Sequence, residues 1–240
     1  MMKRTNSVAM VKSASSPSPA APSSVFLVDD DASVRRALAR LIKSAGHSVQ
    51  TFASAREFLD TQAGGDGAAC LVLDVRMPGI TGIDLQRELQ TLNRDVPIVF
   101  ITGHGDIPMS VKAMKAGAVD FLPKPVKDTD LLRAIEQALA RARRDRAARK
   151  ELADVESRAE KLTAREREVM ALVTRGMPNK RIAFELGTVE KTIKVHRARI
   201  MHKMQVQSLA DLVRATEKLS WLPKPRATET ASAPVIRDRL

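Results

Sequence analysis

The chain has 240 residues and a formal net charge of +12, from 40 Lys and Arg against 28 Asp and Glu. Its one cysteine, Cys70, excludes a disulfide framework and a multi-cysteine zinc site, and no apolar run reaches the ~20 residues needed to cross a bilayer. Aromatic residues are only 3%, with no Tyr and one Trp, too few for a base-stacking RNA surface; the expectation is a cytoplasmic, basic protein of one or two domains with an anionic partner, nucleic acid or membrane surface.

The excess charge is uneven. Residues 21–130 hold 12 basic and 14 acidic residues, whereas 161–222 hold 13 basic and six acidic. An acidic module therefore precedes a basic one, and the two have different partners. Residues 1–23 are rich in Ser, Ala and Pro, show no hydrophobic periodicity and are expected to be a disordered extension, as is the tail over 222–240. No apolar core follows Lys3 and Arg4, so no signal peptide is read there.

From Val25 the pattern alternates. Val25–Val28 predicts a strand, and Val34, Leu38, Leu41 and Ile42 recur at helical spacing. Further strands are predicted over Val49–Phe52, Cys70–Leu73, Pro97–Ile101 and Ala118–Leu122, with helices around Phe58, over Ile83–Leu92, over Val111–Ala116 and from Leu131. Strands alternating with helices mean an α/β domain over 24–130: a five-stranded, doubly wound parallel sheet covered on both faces. Function in such sheets gathers at the carboxyl ends of the strands.

The polar residues at those ends form a set. Strand one ends in Asp29 and Asp30, strand three in Asp74 and strand four in Thr102, and Lys124 follows strand five. Clustered carboxylates repel one another unless a cation lies among them, and an all-oxygen donor set suits Mg²⁺. A carboxylate there can act as nucleophile toward phosphorus, with the cation and Lys124 neutralising charge on the transferring group. Taken singly, each residue has an ordinary explanation. Asp31, just before a helix start, reads as an N-cap, Thr102 as a turn residue and Lys124 as a solvated charge; His104 lacks a neighbouring His or Cys to make it a metal ligand, and Cys70 reads as a small core hydrophobe. Gly79 and Gly82 fit a turn needing φ > 0.

The stretches Val28-Asp29-Asp30-Asp31, Asp74-Val75-Arg76-Met77-Pro78-Gly79, Thr102-Gly103-His104-Gly105 and Lys124-Pro125 together resemble the flavodoxin-like receiver domain of two-component response regulators. The resemblance implies that Asp74 accepts a phosphoryl group from a sensor histidine kinase. It implies a Mg²⁺ site of Asp29, Asp30, Asp74 and the backbone carbonyl of Arg76, with Thr102 and Lys124 on the phosphoryl oxygens and Phe121 as an aromatic switch working with Thr102.

Residues 131–160 predict a helical linker with a basic middle, Arg141 to Lys150. A second, all-α domain of four helices follows over 161–221. Thr163-Ala164-Arg165-Glu166 has the form of a capping box, Gly176 ends its helix, and Gly187 marks a turn between two further helices, a helix-turn-helix pattern. In the helix expected from about Val189 to Met204, Ile193, Ile200 and Met204 form a buried stripe. Lys191, Thr192, Lys194, Val195, Arg197, Ala198, Arg199 and His202 are then the candidate DNA contacts, cations for phosphates and guanine edges.

Leu162 to Val169, Asn179 to Ala183 and Lys191 to Arg197 resemble the LuxR-type DNA-binding domain, and Ile101 to Asp106 points to the FixJ subgroup of response regulators. Gly187-Thr188-Val189 departs from that family's usual residues before the recognition helix. The resemblance implies a non-enzymatic transcription regulator that dimerises on phosphorylation, binds double-stranded promoter DNA and works with RNA polymerase, away from membranes. The competing readings are a phosphatase with an aspartyl-phosphate intermediate and a phosphate sink that never binds DNA.

Overall fold

The computed structural model describes residues 23–61, 67–103 and 107–219. His104 and the two terminal segments read as disordered, apart from Ser23, lie outside those residues. The chain divides into two compact units, with the boundary between Arg146 and Ala147.

The first unit runs β1 (Ser24–Val28), α1 (Ala32–Ser44), β2 (Ser48–Phe52), α2 (Ala55–Asp60), β3 (Ala69–Asp74), α3 (Gly82–Thr91), β4 (Ile98–Thr102), α4 (Ile107–Lys115), β5 (Asp120–Pro123) and the start of α5 (Asp128–Glu160). All neighbouring strands pair in parallel, in the order β2-β1-β3-β4-β5. The order reverses between β1 and β3, where crossovers leave to opposite faces and a crevice opens.

Side-chain alternation along each strand divides the core in two. Phe26, Val28, Leu71, Leu73 and Phe100 face one way, toward Phe58 of α2 and Leu85 and Leu89 of α3. Val25, Leu27, Cys70, Val72, Val99 and Ile101 face the other, toward Ile42 of α1 and Leu131, Ile135 and Leu139 of α5. Burial on both faces explains why these strands read as continuous apolar runs. Cys70 is a buried free thiol, pushed up to about 12 by burial, which keeps it protonated and inert.

Three details differ from the sequence reading. The last strand begins at Asp120 rather than Ala118, because Gly117 (φ +91°) closes α4 and draws the Ala118 N–H onto the Ala113 carbonyl. β4 begins at Ile98 rather than Pro97 and ends in Thr102 as expected, the Thr102 carbonyl accepting from the Lys124 N–H at 2.7 Å. The stretch expected as a connector over 131–160 is helical as part of α5, but Leu131, Ala134, Ile135, Ala138 and Leu139 are core of the first unit, and Val155 and Ala159 are core of the second.

The second unit contains α6 (Ala164–Thr174), α7 (Asn179–Glu185), α8 (Glu190–Met204) and α9 (Leu209–Thr216). Thr163 and Glu166 form the reciprocal capping box at the start of α6, and Ser208 and Asp211 form another at α9. Gly176 (φ +79°) and Gly187 (φ +60°) turn the chain where L side chains are strained. Ile182, Ile193, Ile200, Met204 and Leu212 meet in one core. Among the described residues no helix is long and apolar enough to cross a membrane.

Candidate functional site

The carboxyl ends of β1, β3 and β5 bring Asp29, Asp74 and Lys124 into contact. Lys124 Nζ lies 2.7 Å from Asp29 Oδ2 and 2.5 Å from Asp74 Oδ2. Asp29 and Asp74 are buried, Asp30 is exposed, and the three carboxylates present oxygens within 4.8 Å of one another. Thr102, also buried, ends the neighbouring strand β4. The remaining bonds fix the carboxylates' orientation: the Arg76 N–H donates to Asp74 Oδ1 at 3.1 Å, and the Asp31 N–H to Asp29 Oδ1 at 2.8 Å.

Burial pushes the Asp29 carboxyl above its ordinary value, against the opposing pull of Lys124. Burial pulls the Lys124 ammonium down, but its bonds to Asp29 and Asp74 outweigh that and raise it. The first direction comes from burial of the carboxylate and the second from the two carboxylates bonded to Lys124. With Lys124 protonated the cluster carries a formal charge of −2, and its donors are all oxygen. That composition fits a small, hard divalent cation such as Mg²⁺, with Asp29, Asp30 and Asp74 as the available ligands.

Two supporting residues escaped the sequence reading. Arg35 donates through Nη1 to the Asp29 and Asp30 carbonyls, at 2.6 and 2.9 Å, and so holds the loop that presents the acidic pair. Only its position one turn into α1 could have signalled this. Gly82 was read as a φ > 0 position. Gly79 has that conformation (φ +79°), but Gly82 opens α3, where a Cβ would lie 2.3 Å from the Asp74 carbonyl oxygen. Its glycine answers to close backbone approach under Asp74. Asp31 caps α1, accepting from the Ser33 and Val34 N–H groups, and the Ser33 bonds are the main reason its carboxyl lies below its ordinary value. Phe121 is half-buried on β5, its ring centroid 6.0 Å from that of Phe100.

In the second unit, α8 buries Ile193, Ile200 and Met204 and turns a cationic face outward. Lys191, Lys194, Val195, Ala198, Arg199 and His202 are exposed, and Thr192 and Arg197 half-buried, so all eight candidate contacts are on the helix surface. Lys194 pairs with Glu190 one turn earlier, at 3.3 Å. Val189 is the N-cap of α8 and supplies no side-chain bond to the helix N–H groups, the consequence of the unusual Thr188-Val189 sequence. Behind α8, Lys203 Nζ pairs with Glu166 Oε2 at 2.6 Å, a partly buried ion pair the sequence reading did not identify.

Comparison with known proteins covers both units. The family model described as response regulator receiver domain matches residues 25–136, and that described as bacterial regulatory proteins, luxR family, matches residues 160–216. Nodulation protein W of Bradyrhizobium diazoefficiens is 52% identical over 195 residues, 81% of this chain and 86% of that protein. Transcriptional regulatory protein FixJ of Azorhizobium caulinodans is 40% identical over 206 residues, 86% of this chain and 97% of that protein. The solved structure of response regulator StyR is 52% identical with a TM-score of 0.74, covering 82% of this chain and 100% of that one.

Proposed function

Because this chain belongs to the response regulators that join a receiver domain to a LuxR-type DNA-binding domain, the group that includes FixJ, we propose that it is a cytoplasmic transcription activator switched by phosphorylation of Asp74. The observation that carries the reading is the buried Asp29–Asp74–Lys124 cluster at the sheet's carboxyl edge, beside Thr102.

A sensor histidine kinase is the phosphodonor. An Asp74 carboxylate oxygen forms the new O–P bond as the donor's N–P bond breaks. Asp29, Asp30 and Asp74, with the Arg76 carbonyl, would hold Mg²⁺, which when bound supplies positive charge against the phosphoryl oxygens. Lys124, now shared between two carboxylates, exchanges Asp74 for the phosphoryl group. Thr102 turns its hydroxyl toward the same group, and the Phe121 ring moves inward behind it. The altered surface promotes homodimerisation and places two copies of α8 on a two-fold DNA site. Lys191, Lys194, Arg197, Arg199 and His202 serve phosphates and base edges, while Thr192, Val195 and Ala198 pack along the groove.

The test is a gel shift with a duplex selected by the full chain from random sequence. Acetyl phosphate strengthens binding by the wild type and leaves Asp74→Asn unchanged; equal strengthening of both refutes the switch. Steady hydrolysis of a phosphorylated metabolite would favour the phosphatase reading instead.

A further inference from the structure

We infer that the groove between α1 and β2 binds a multiply phosphorylated small molecule of nucleotide size. The groove has a volume of about 460 Å³, within the range that holds small-molecule ligands. Arg35, Arg36, Arg40 and Lys43 line it, and none of its lining residues is acidic. Residues 21–130 hold 12 basic and 14 acidic residues, so a third of the cations in a net-acidic stretch gather at this one place. Among the described residues Arg36, Arg40 and Lys43 pair with no carboxylate; Arg40 bonds the Arg36 carbonyl, at 3.3 Å. The three stand at i, i+4 and i+7 on α1, in a row about 10 Å long, and like charges at this spacing destabilise a helix. Lys43, in the last turn, gains from the helix dipole. Arg36 and Arg40 lie too far from that end to share the gain.

The composition of the groove indicates its occupant. A row of cations suits several phosphates rather than one, and the guanidinium forks of Arg36 and Arg40 match phosphate oxygens two at a time. Beside the cations the lining is apolar: Ala39 is buried, and Val49, half-buried, packs against the core beneath. Thr51, two residues further along β2, is exposed on the same side of the strand and offers a hydroxyl. Phosphates on the cations and a planar, less polar body against Ala39 and Val49 describe a nucleotide. An extended polyanion fits less well. Asp30 and Asp31 are exposed just before α1, and their charges repel a duplex or an acidic chain that continues along the row. DNA also has its own cationic surface on α8. Arg35 reaches the groove while its Nη1 bonds the Asp29 and Asp30 carbonyls, so it is left intact in the test.

The experiment is calorimetric titration of the full chain with ATP, with inorganic tripolyphosphate and with adenosine. The buffer is free of Mg²⁺, so that the acidic rim recruits no phosphate through a cation. Wild type, Arg40→Gln, Lys43→Gln and Lys194→Gln are compared, and urea unfolding of the same samples confirms that each is folded. The inference expects one ATP site in the wild type, tripolyphosphate binding more weakly and adenosine not measurably. Arg40→Gln and Lys43→Gln each weaken ATP about tenfold, the loss of one charge-assisted bond, without lowering the urea midpoint. Lys194→Gln, on α8, leaves ATP affinity unchanged. A wild type that does not bind ATP overturns the inference, as does ATP affinity that Arg40→Gln and Lys43→Gln leave intact. A loss in Lys194→Gln equal to theirs also overturns it and assigns the nucleotide to α8. Equal affinity for ATP and tripolyphosphate overturns it too, because charge alone then accounts for binding, and adenosine binding as tightly as ATP removes the phosphates from the site.

Discussion

Replacing Lys203 by Met tests the ion pair that links α6 to α8. The Glu166 side chain is 3% exposed and that of Lys203 31%, with 2.6 Å between the charged atoms. At an effective dielectric of about 20 the gross attraction is about 6 kcal/mol. Stripping water from the carboxylate costs several kcal/mol, so the intact pair adds little net stability. Removing Lys203 alone leaves that cost standing, with the Thr163 N–H, 2.9 Å away, and the Thr163 side chain still bonded to Glu166. The expected loss is about 3 kcal/mol, the low end for a broken buried pair because the ammonium end is partly open to solvent. Adding Glu166→Gln removes the stranded charge and recovers about 2 kcal/mol. The assay is urea unfolding of the full chain followed by far-UV ellipticity.

The pH dependence gives an independent sign. Burial raises the Glu166 carboxyl, but the bonds from Lys203 and Thr163 outweigh it and hold it below the ordinary value of 4.5. The wild type therefore keeps this contribution above pH 4.5 and loses it as pH falls further. Without Lys203 its lowering contribution is gone and the carboxyl lies higher than in the wild type, with burial still raising it and the Thr163 bonds still lowering it. The variant should then lose less stability than the wild type as pH falls through the carboxylate range. Additive single-variant effects, or a variant-minus-wild-type difference that does not change with pH, would refute the reasoning.

Three further outcomes are expected. Val189→Ser supplies the side-chain cap that α8 lacks and should raise stability by about 1 kcal/mol, read as a higher urea midpoint; a lower midpoint contradicts the cap geometry. Gly82→Ala places a methyl group against the Asp74 carbonyl and should cost about 1–3 kcal/mol while slowing phosphorylation by acetyl phosphate, so neutral behaviour in both assays counts against the close approach. In calorimetric titrations with Mg²⁺, Asp29→Asn should weaken binding about tenfold, whereas Lys124→Ala, which removes the competing cation, should strengthen it; shifts of the same sign would show that charge balance does not control the site.

The sequence alone determined the order of the elements and the identity of the acidic rim. Apolar runs buried on both faces have one architecture available to them, and every crossover in a parallel sheet returns the next strand's carboxyl end to the same edge. Asp29, Asp74, Thr102 and Lys124 therefore had to share that rim before any distance was known. The capping box at Thr163 was equally legible, because it is satisfied within four residues.

Only the tertiary structure decided the approaches that no sequence pattern signals, whether the partners lie a few residues apart or far apart in the chain. Lys124 bridging two carboxylates, Arg35 holding the acidic loop, Gly82 making room for the Asp74 carbonyl and Lys203 reaching Glu166 all pair residues whose separation carries no periodic signal. The +12 charge divides in the same way. Composition pointed to an anionic partner, but the folding of α8 with Ile193, Ile200 and Met204 inward is what gathers its cations on one surface.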